Sequence, residues 1–181
     1  MSTLFVNNLN TASGSTITIP TGKTLKATDT PIVGTGNIIQ VVKSGNFISA
    51  HVYSSSTSYA TMGSDFSLAI TPKFSNSVIL IEAMLNPYTN SNNESGTYNI
   101  SKDGGSSFIA AHATNGFGIV PSSPSTSSGH YSHFIISASD TVSSTSTVTY
   151  QIYYRSTSSS YNFYGNHNNM SNHITLMEVA Q

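Results

Sequence analysis

The chain has 181 residues, no cysteine, a formal net charge of −1, and only 7% charged side chains, against roughly 25% in an ordinary soluble domain. That excludes a disulfide-stapled module and thiolate metal sites. With six Lys and Arg in all, it also argues against backbone-directed nucleic-acid binding and a polybasic membrane face.

Solubility must then come from hydroxyls and amides, which Ser, Thr and Asn supply in abundance. Hydrophobic residues make up 37% and aromatics 10%. Disorder couples low hydrophobicity with high net charge, so a folded chain is expected. No apolar run approaches the roughly 20 residues of a spanning helix, which argues against membrane insertion. The start, Met1-Ser-Thr-Leu-Phe-Val-Asn-Asn, has neither the basic opening nor the apolar run of a secretion signal, so synthesis in a cytoplasm is expected.

In chain order, residues 1–35 are broken every few positions by Asn7-Asn, Gly14, Pro20-Thr-Gly and Pro31. Residues 16–19 alternate Thr-Ile-Thr-Ile. This reads as a short N-terminal β arm, too small for its own core. Residues 36–181 read as one domain with period-two alternation and turn signals between strands. Strands are expected at 38–42, 47–53 and 66–70.

Residues 77–85, Ser-Val-Ile-Leu-Ile-Glu-Ala-Met-Leu, are apolar on both faces. That fits a central strand covered twice, or one whose second face meets another subunit. Val78, Leu80, Glu82 and Met84 are the candidate interface residues, with Glu82 read as an interface or edge carboxylate. Residues 98–101 and 108–111 flank Lys102-Asp103-Gly104-Gly105, a hairpin signal. Residues 131–138 and 147–154 read as a further pair, and 173–179 as the last strand. Loops rich in Ser, Asn and Gly are expected at 54–58, 86–96, 121–129, 156–160 and 166–172. The sum, eight to ten strands and no helix, is an all-β, antiparallel β-sandwich of jelly-roll type.

Catalytic patterns are missing. There is no Gly-x-Ser-x-Gly elbow and no phosphate-cradling Gly-Lys-Ser/Thr loop. Asp29, Asp65, Asp103 and Asp140 sit in turn-like contexts, unlike the paired carboxylates of a glycosidase. His51, His112, His130, His133, His167 and His173 read as hydrogen-bonded polar residues. No enzyme activity, metal or cofactor is expected. Three Asn-x-Ser sequons, at Asn93, Asn99 and Asn169, are what such a composition yields by chance.

Binding is the remaining chemistry. Tyr88 precedes a polar loop holding Asn90, Asn92 and Asn93. Tyr161 and Tyr164 precede Asn166 and His167. Aromatic faces beside amides and hydroxyls suit a neutral saccharide, by stacking and hydrogen bonding; the competing role for these tyrosines is core or interface packing.

Three strings carry a resemblance: Ser15-Thr-Ile-Thr-Ile-Pro-Thr-Gly-Lys-Thr-Leu25, Gly36-Asn-Ile-Ile-Gln-Val-Val42 and Ile70-Thr-Pro-Lys-Phe-Ser-Asn-Ser-Val-Ile-Leu80. With the ending His173-Ile-Thr-Leu-Met-Glu-Val-Ala-Gln181, the chain resembles tail-fibre-like and other structural proteins of marine bacteriophages along its whole length. The resemblance implies a virion protein that forms a homotrimer, often at a fibre tip. The expected partners are its own copies, other virion proteins through the N-terminal arm, and a host-surface saccharide. A trimeric capsid decoration (cement) protein is the alternative, and a free carbohydrate-binding module or adhesin the second.

Overall fold

The computed structural model describes residues 21, 35–44, 52–89, 94–109, 115–120, 129–167 and 170–181. The chain falls into two compact units, Met1–Ile32 and Val33–Gln181, where a boundary after residue 35 was expected. The first unit, with the alternating residues 16–19, lies outside the described residues apart from residue 21.

The second unit is all-β. Its strands are β1 (Ile38–Lys43), β2 (Val52–Ser54), β3 (Ala60–Thr61), β4 (Ser67–Ile70), β5 (Val78–Leu85), β6 (Tyr88–Thr89), β7 (Gly96–Ser101), β8 (Ile119–Val120), β9 (His130–Tyr131), β10 (Phe134–Thr141), β11 (Val148–Ser156), β12 (Phe163–Asn166) and β13 (His173–Val179). Among the described residues the only helical piece is a 3₁₀ turn, Ser64–Phe66. All pairing is antiparallel, in three sheets. The first has the order β1-β13-β5-β10, the second β3-β11-β7-β8 with β4 also on β11, and the third β2-β12-β6-β9.

Alternation decides which residues enter the core. Along β5, Ile79, Ile81, Ala83 and Leu85 are buried, and β13 matches them with Ile174 and Leu176. Each Ile or Leu so buried contributes roughly 1.5–3 kcal/mol. From the second sheet come Ile100, Ile152, Tyr98 and Tyr150, and from the third Phe163; all belong to one apolar cluster. The Tyr98 hydroxyl is satisfied by donating to Gly165 O at 2.7 Å, and burial, then Tyr154, pushes its pKa well up.

Every residue of β7 is buried. One face points into the core; over the other, Phe108 packs at 4.8 Å from the Tyr59 ring and 5.4 Å from the Tyr153 ring. Gly96, at the start of β7, lies under the Phe163 ring, and a Cβ there would collide with it.

The turn at residues 102–105 forms as expected, with Gly104 and Gly105 at φ 71° and 90°, the region glycine adopts without strain. Asp103 accepts from the Ser107 hydroxyl and N–H and the Ser101 hydroxyl, which lowers its pKa to about 2. The expected second arm does not form a strand at 108 and 109. Ile109 donates once to Ile100 O, at 2.9 Å, and β7 pairs instead with β8 and β11.

A second correction concerns residues 131–138 and 147–154, expected to pair with each other. β10 pairs with β5 in the first sheet, and β11 with β3, β4 and β7 in the second. The chain changes sheets between them. Asp140 of β10 spans that change: it holds Lys102 Nζ at 2.7 Å and accepts from the Tyr150 hydroxyl at 2.7 Å. Residues 131–138 also break in two, because residues 132 and 133 separate β9 from β10.

One carboxylate is deep in the fold. Glu178 faces inward on β13 and is fully buried. It accepts from Gln40 Nε2 at 2.6 Å, Lys73 N at 2.8 Å, Ser77 Oγ at 2.7 Å and Phe74 N at 3.1 Å. Burial alone would raise its pKa. The hydrogen bonds from Lys73, Ser77, Gln40 and Phe74 outweigh that and hold it below the ordinary value. The inward charge thus ties β1 and the 73–77 connection to the end of β13.

Candidate functional site

Two surfaces of the second unit bring together residues the sequence singles out. The first is on the third sheet. Its register sets Tyr164 of β12 opposite Tyr53 of β2 and Tyr88 of β6, and Tyr88 opposite Tyr131 of β9. Four tyrosines therefore stand in one row across four strands. Directly opposed residues share a sheet face, so the row is a product of register.

Ring centroids are 5.6 Å apart for Tyr53–Tyr164, 5.7 Å for Tyr164–Tyr88 and 4.7 Å for Tyr88–Tyr131. The planes are tilted by 40°, 73° and 46° along the row, so it is ridged. His167, just past β12, stacks on Tyr88 at 4.3 Å and 15°. Its Nδ1 is 3.3 Å from the Tyr131 hydroxyl. The ends of the row are open, Tyr53 at 57% and Tyr131 at 44% exposure, while Tyr88, Tyr164 and His167 are half-buried. Burial, then the nearby Glu94, Tyr53 and Tyr88, raises the Tyr164 pKa, so its phenol stays neutral and keeps its donor.

Of the saccharide-contact candidates, Tyr88, Tyr164 and His167 converge here. Tyr161 is exposed in the turn before β12, outside the row. Asn166 is fully buried, so its amide is not on the open surface, which corrects its candidacy. Asn90, Asn92 and Asn93 lie outside the described residues. Tyr53 and Tyr131 were missed; only a strand register links them to Tyr88 and Tyr164, and a register between distant segments is not written in local pattern.

The second surface is the outer face of the first sheet. Val78, Leu80, Glu82 and Met84 all point to it, alternating with the buried residues of β5. β13 adds Met177 opposite Leu80 and Val179 opposite Val78, and β10 adds Ile135 opposite Met84. On β1 the register shifts between Ile38 and Gln40. That bulge puts Ile38 and Val41 on the same outer face, 56% and 58% exposed. Ile135 is 64% exposed. The charged residues of this face are Lys43 and Glu82, both opposite Thr175.

No group of three or more His, Asp or Glu able to hold a metal occurs among the described residues. No helix among them is long and apolar enough to cross a membrane. No family model matches the sequence, and a search of curated proteins finds no match.

Proposed function

We propose that the chain is a structural protein of a bacteriophage particle, a homotrimeric appendage of the tail-fibre or knob type that engages the host surface. In this reading the second unit is a β-sandwich of jelly-roll type, and residues 1–35 dock it to other virion proteins. The chain is made in the bacterial cytoplasm and works in the virion.

The observation that carries the reading is the outer face of the first sheet. On a chain that keeps its surface soluble with hydroxyls and amides, this face gathers apolar side chains from all four strands. Monomers seldom expose large apolar patches without a partner, and this one is bordered along β10 by Ser137, Ser139 and Thr141. Neighbouring copies covering it give a contact held by apolar burial, which salt screens little. Lys43 and Glu82 supply opposite charges for pairing between copies. The trimer, as distinct from another closed ring, is supported by the resemblance to phage structural proteins. The tyrosine row favours host attachment over capsid decoration, because a cement protein needs no receptor-facing aromatic surface.

The test is sedimentation equilibrium of the full chain at physiological salt and in ~1 M NaCl, with Leu80→Lys alongside. A salt-resistant trimer that Leu80→Lys converts to folded monomer is the expected result. A wild-type monomer at micromolar concentration overturns the proposal and returns the chain to the free carbohydrate-binding module. Labelled antibody on particles then separates tail from capsid faces; labelling of the capsid overturns the appendage.

A further inference from the structure

We infer that the tyrosine row is the floor of a site for an extended, uncharged, linear saccharide that spans several sugar rings. The inference rests on the attachment reading and specifies its ligand.

Length comes first. Four tyrosines on four adjacent strands span three strand spacings, about 14 Å. A single sugar covers one or two of those rings; a chain of about three covers the row, at roughly one ring per strand spacing. The most exposed tyrosines, Tyr53 and Tyr131, are at its two ends, so a ligand too short to reach both leaves one unused.

Shape comes second. Neighbouring rings are tilted by 40° to 73°, so no rigid flat ligand meets them all. A chain whose successive rings rotate about flexible linkages can present a face to the open rings Tyr53 and Tyr131 and, between them, to the edge of the Tyr164 ring and to the His167 ring stacked on Tyr88.

Charge and hydrogen bonding decide the class. Residues 52–54, 88–89, 130–131 and 163–166 include no Lys, Arg, Asp or Glu. Burial first, and then the nearby Glu94, raise the Tyr164 pKa, and these strands hold no Lys or Arg to pair with an acidic sugar. Single-stranded nucleic acid also stacks on aromatic rows, but it needs a cationic groove, and the strands that carry the row include no Lys or Arg. A proline-rich peptide docks in aromatic-lined grooves, yet offers mainly carbonyl acceptors. Each phenol hydroxyl is both donor and acceptor, and sugar hydroxyls answer both. Stacking and two-way hydrogen bonding together favour the saccharide.

The experiment uses the full chain on an array of linear neutral and acidic glycans of one to six sugars, with a proline-rich decapeptide set printed beside them. Hits are then titrated calorimetrically. Binding to uncharged linear glycans is expected, with affinity rising at least tenfold from one to about three sugars and then levelling. Tyr53→Ala and Tyr131→Ala, at the exposed ends, are expected to weaken the longer ligand by about tenfold, as for loss of one stacking partner. Both variants should stay folded by circular dichroism and lose the gain in affinity with ligand length. Preference for acidic glycans, no dependence on length, binding of the peptides alone, or no binding at all overturns the inference. A salt-resistant trimer on particle tails with a silent array sinks this ligand assignment and leaves the virion reading standing.

Discussion

Replacing Glu178 with Gln tests whether a buried charge organises the end of β13. Three donors converge on Oε1, namely Lys73 N, Phe74 N and Ser77 Oγ, while Gln40 Nε2 approaches Oε2 at 2.6 Å. Gln keeps the shape and one acceptor, but its NH₂ then opposes the NH₂ of Gln40. Rotating the Gln40 amide relieves that clash and gives up its bond to Thr71 O, 2.8 Å long. One hydrogen bond is lost on either route, and the remaining three no longer reach a charge. Hydrogen bonds to charged groups net roughly 1.5–3 kcal/mol each, and neutral ones about 1. One bond lost and three weakened by at least ~0.5 kcal/mol each give an expected cost near pH 7 of about 3 kcal/mol at the low end of these ranges, a melting temperature lower by roughly 6–12 °C for a chain of this size. The pH dependence gives a second readout. Because the folded-state pKa is held below the ordinary value, the stabilisation is complete above the unfolded carboxylate pKa and is lost as pH falls through the folded one. The gap between wild type and Glu178→Gln should shrink below about pH 4. Asp103 adds its own acid dependence to both proteins, so the difference between the two curves is the quantity to follow. Denaturation at fixed protein concentration measures it. A gap that persists unchanged to pH 3, or a cost below about 0.5 kcal/mol at pH 7, refutes the argument.

Two further outcomes follow from the core. Gly96→Ala places a methyl group in the Phe163 ring and should cost about 1–3 kcal/mol, read as a lower denaturant midpoint with unchanged slope. At high pH, burial pushes the Tyr154 hydroxyl up to about 12, and Tyr98 and Tyr150 are also raised, chiefly by burial. Neutral phenols are favoured in the folded state, so stability should hold below pH 10 and fall as pH rises through 10 to 12. The buried phenols' share of the phenolate absorbance should rise in step with loss of near-UV circular dichroism during alkaline titration, and Tyr154→Phe should flatten that limb.

Strands rich in apolar and β-branched residues were legible in the sequence: β5 and β13 occupy nearly the residues expected, and β1 differs by one residue. Their side chains carry the signal, since one face must be apolar to meet the core. Strands such as β6, β8 and β9, two residues long, carry no period at all. β12 ends at Asn166, inside the loop expected at 166–172. Pairing was less legible than existence. The short Ser/Thr link after residue 141 looks like a hairpin loop, but a link of that length serves equally for a chain changing sheets. The candidate site followed the same division. Tyr88, Tyr164 and His167 were visible from local composition, whereas Tyr53 and Tyr131 join them only through register. The outer-face residues of β5 were legible because a strand apolar on both faces is unusual.

The sheet edges bear on the proposed assembly. Open edges invite uncontrolled pairing, and proteins blunt them with shortness, bulges, charge or cover. β2, β8 and β9 are two or three residues long. The edge formed by β3 and β4 is interrupted by Gly63, at φ 100°, and the 3₁₀ turn. β1 carries a bulge and ends in Lys43. β10 is the exception: eight residues in unbroken register with β5, paired on one side among the described residues, with neither bulge nor lysine. Ile135, the most exposed of the large apolar residues, lies on this strand and also belongs to the apolar outer face. Edge and face therefore meet at β10. A chain with both open would polymerise if contacts propagated; a closed ring of copies covers them with a finite number of subunits. In the proposed assembly, neighbouring copies would cover edge and face together at β10.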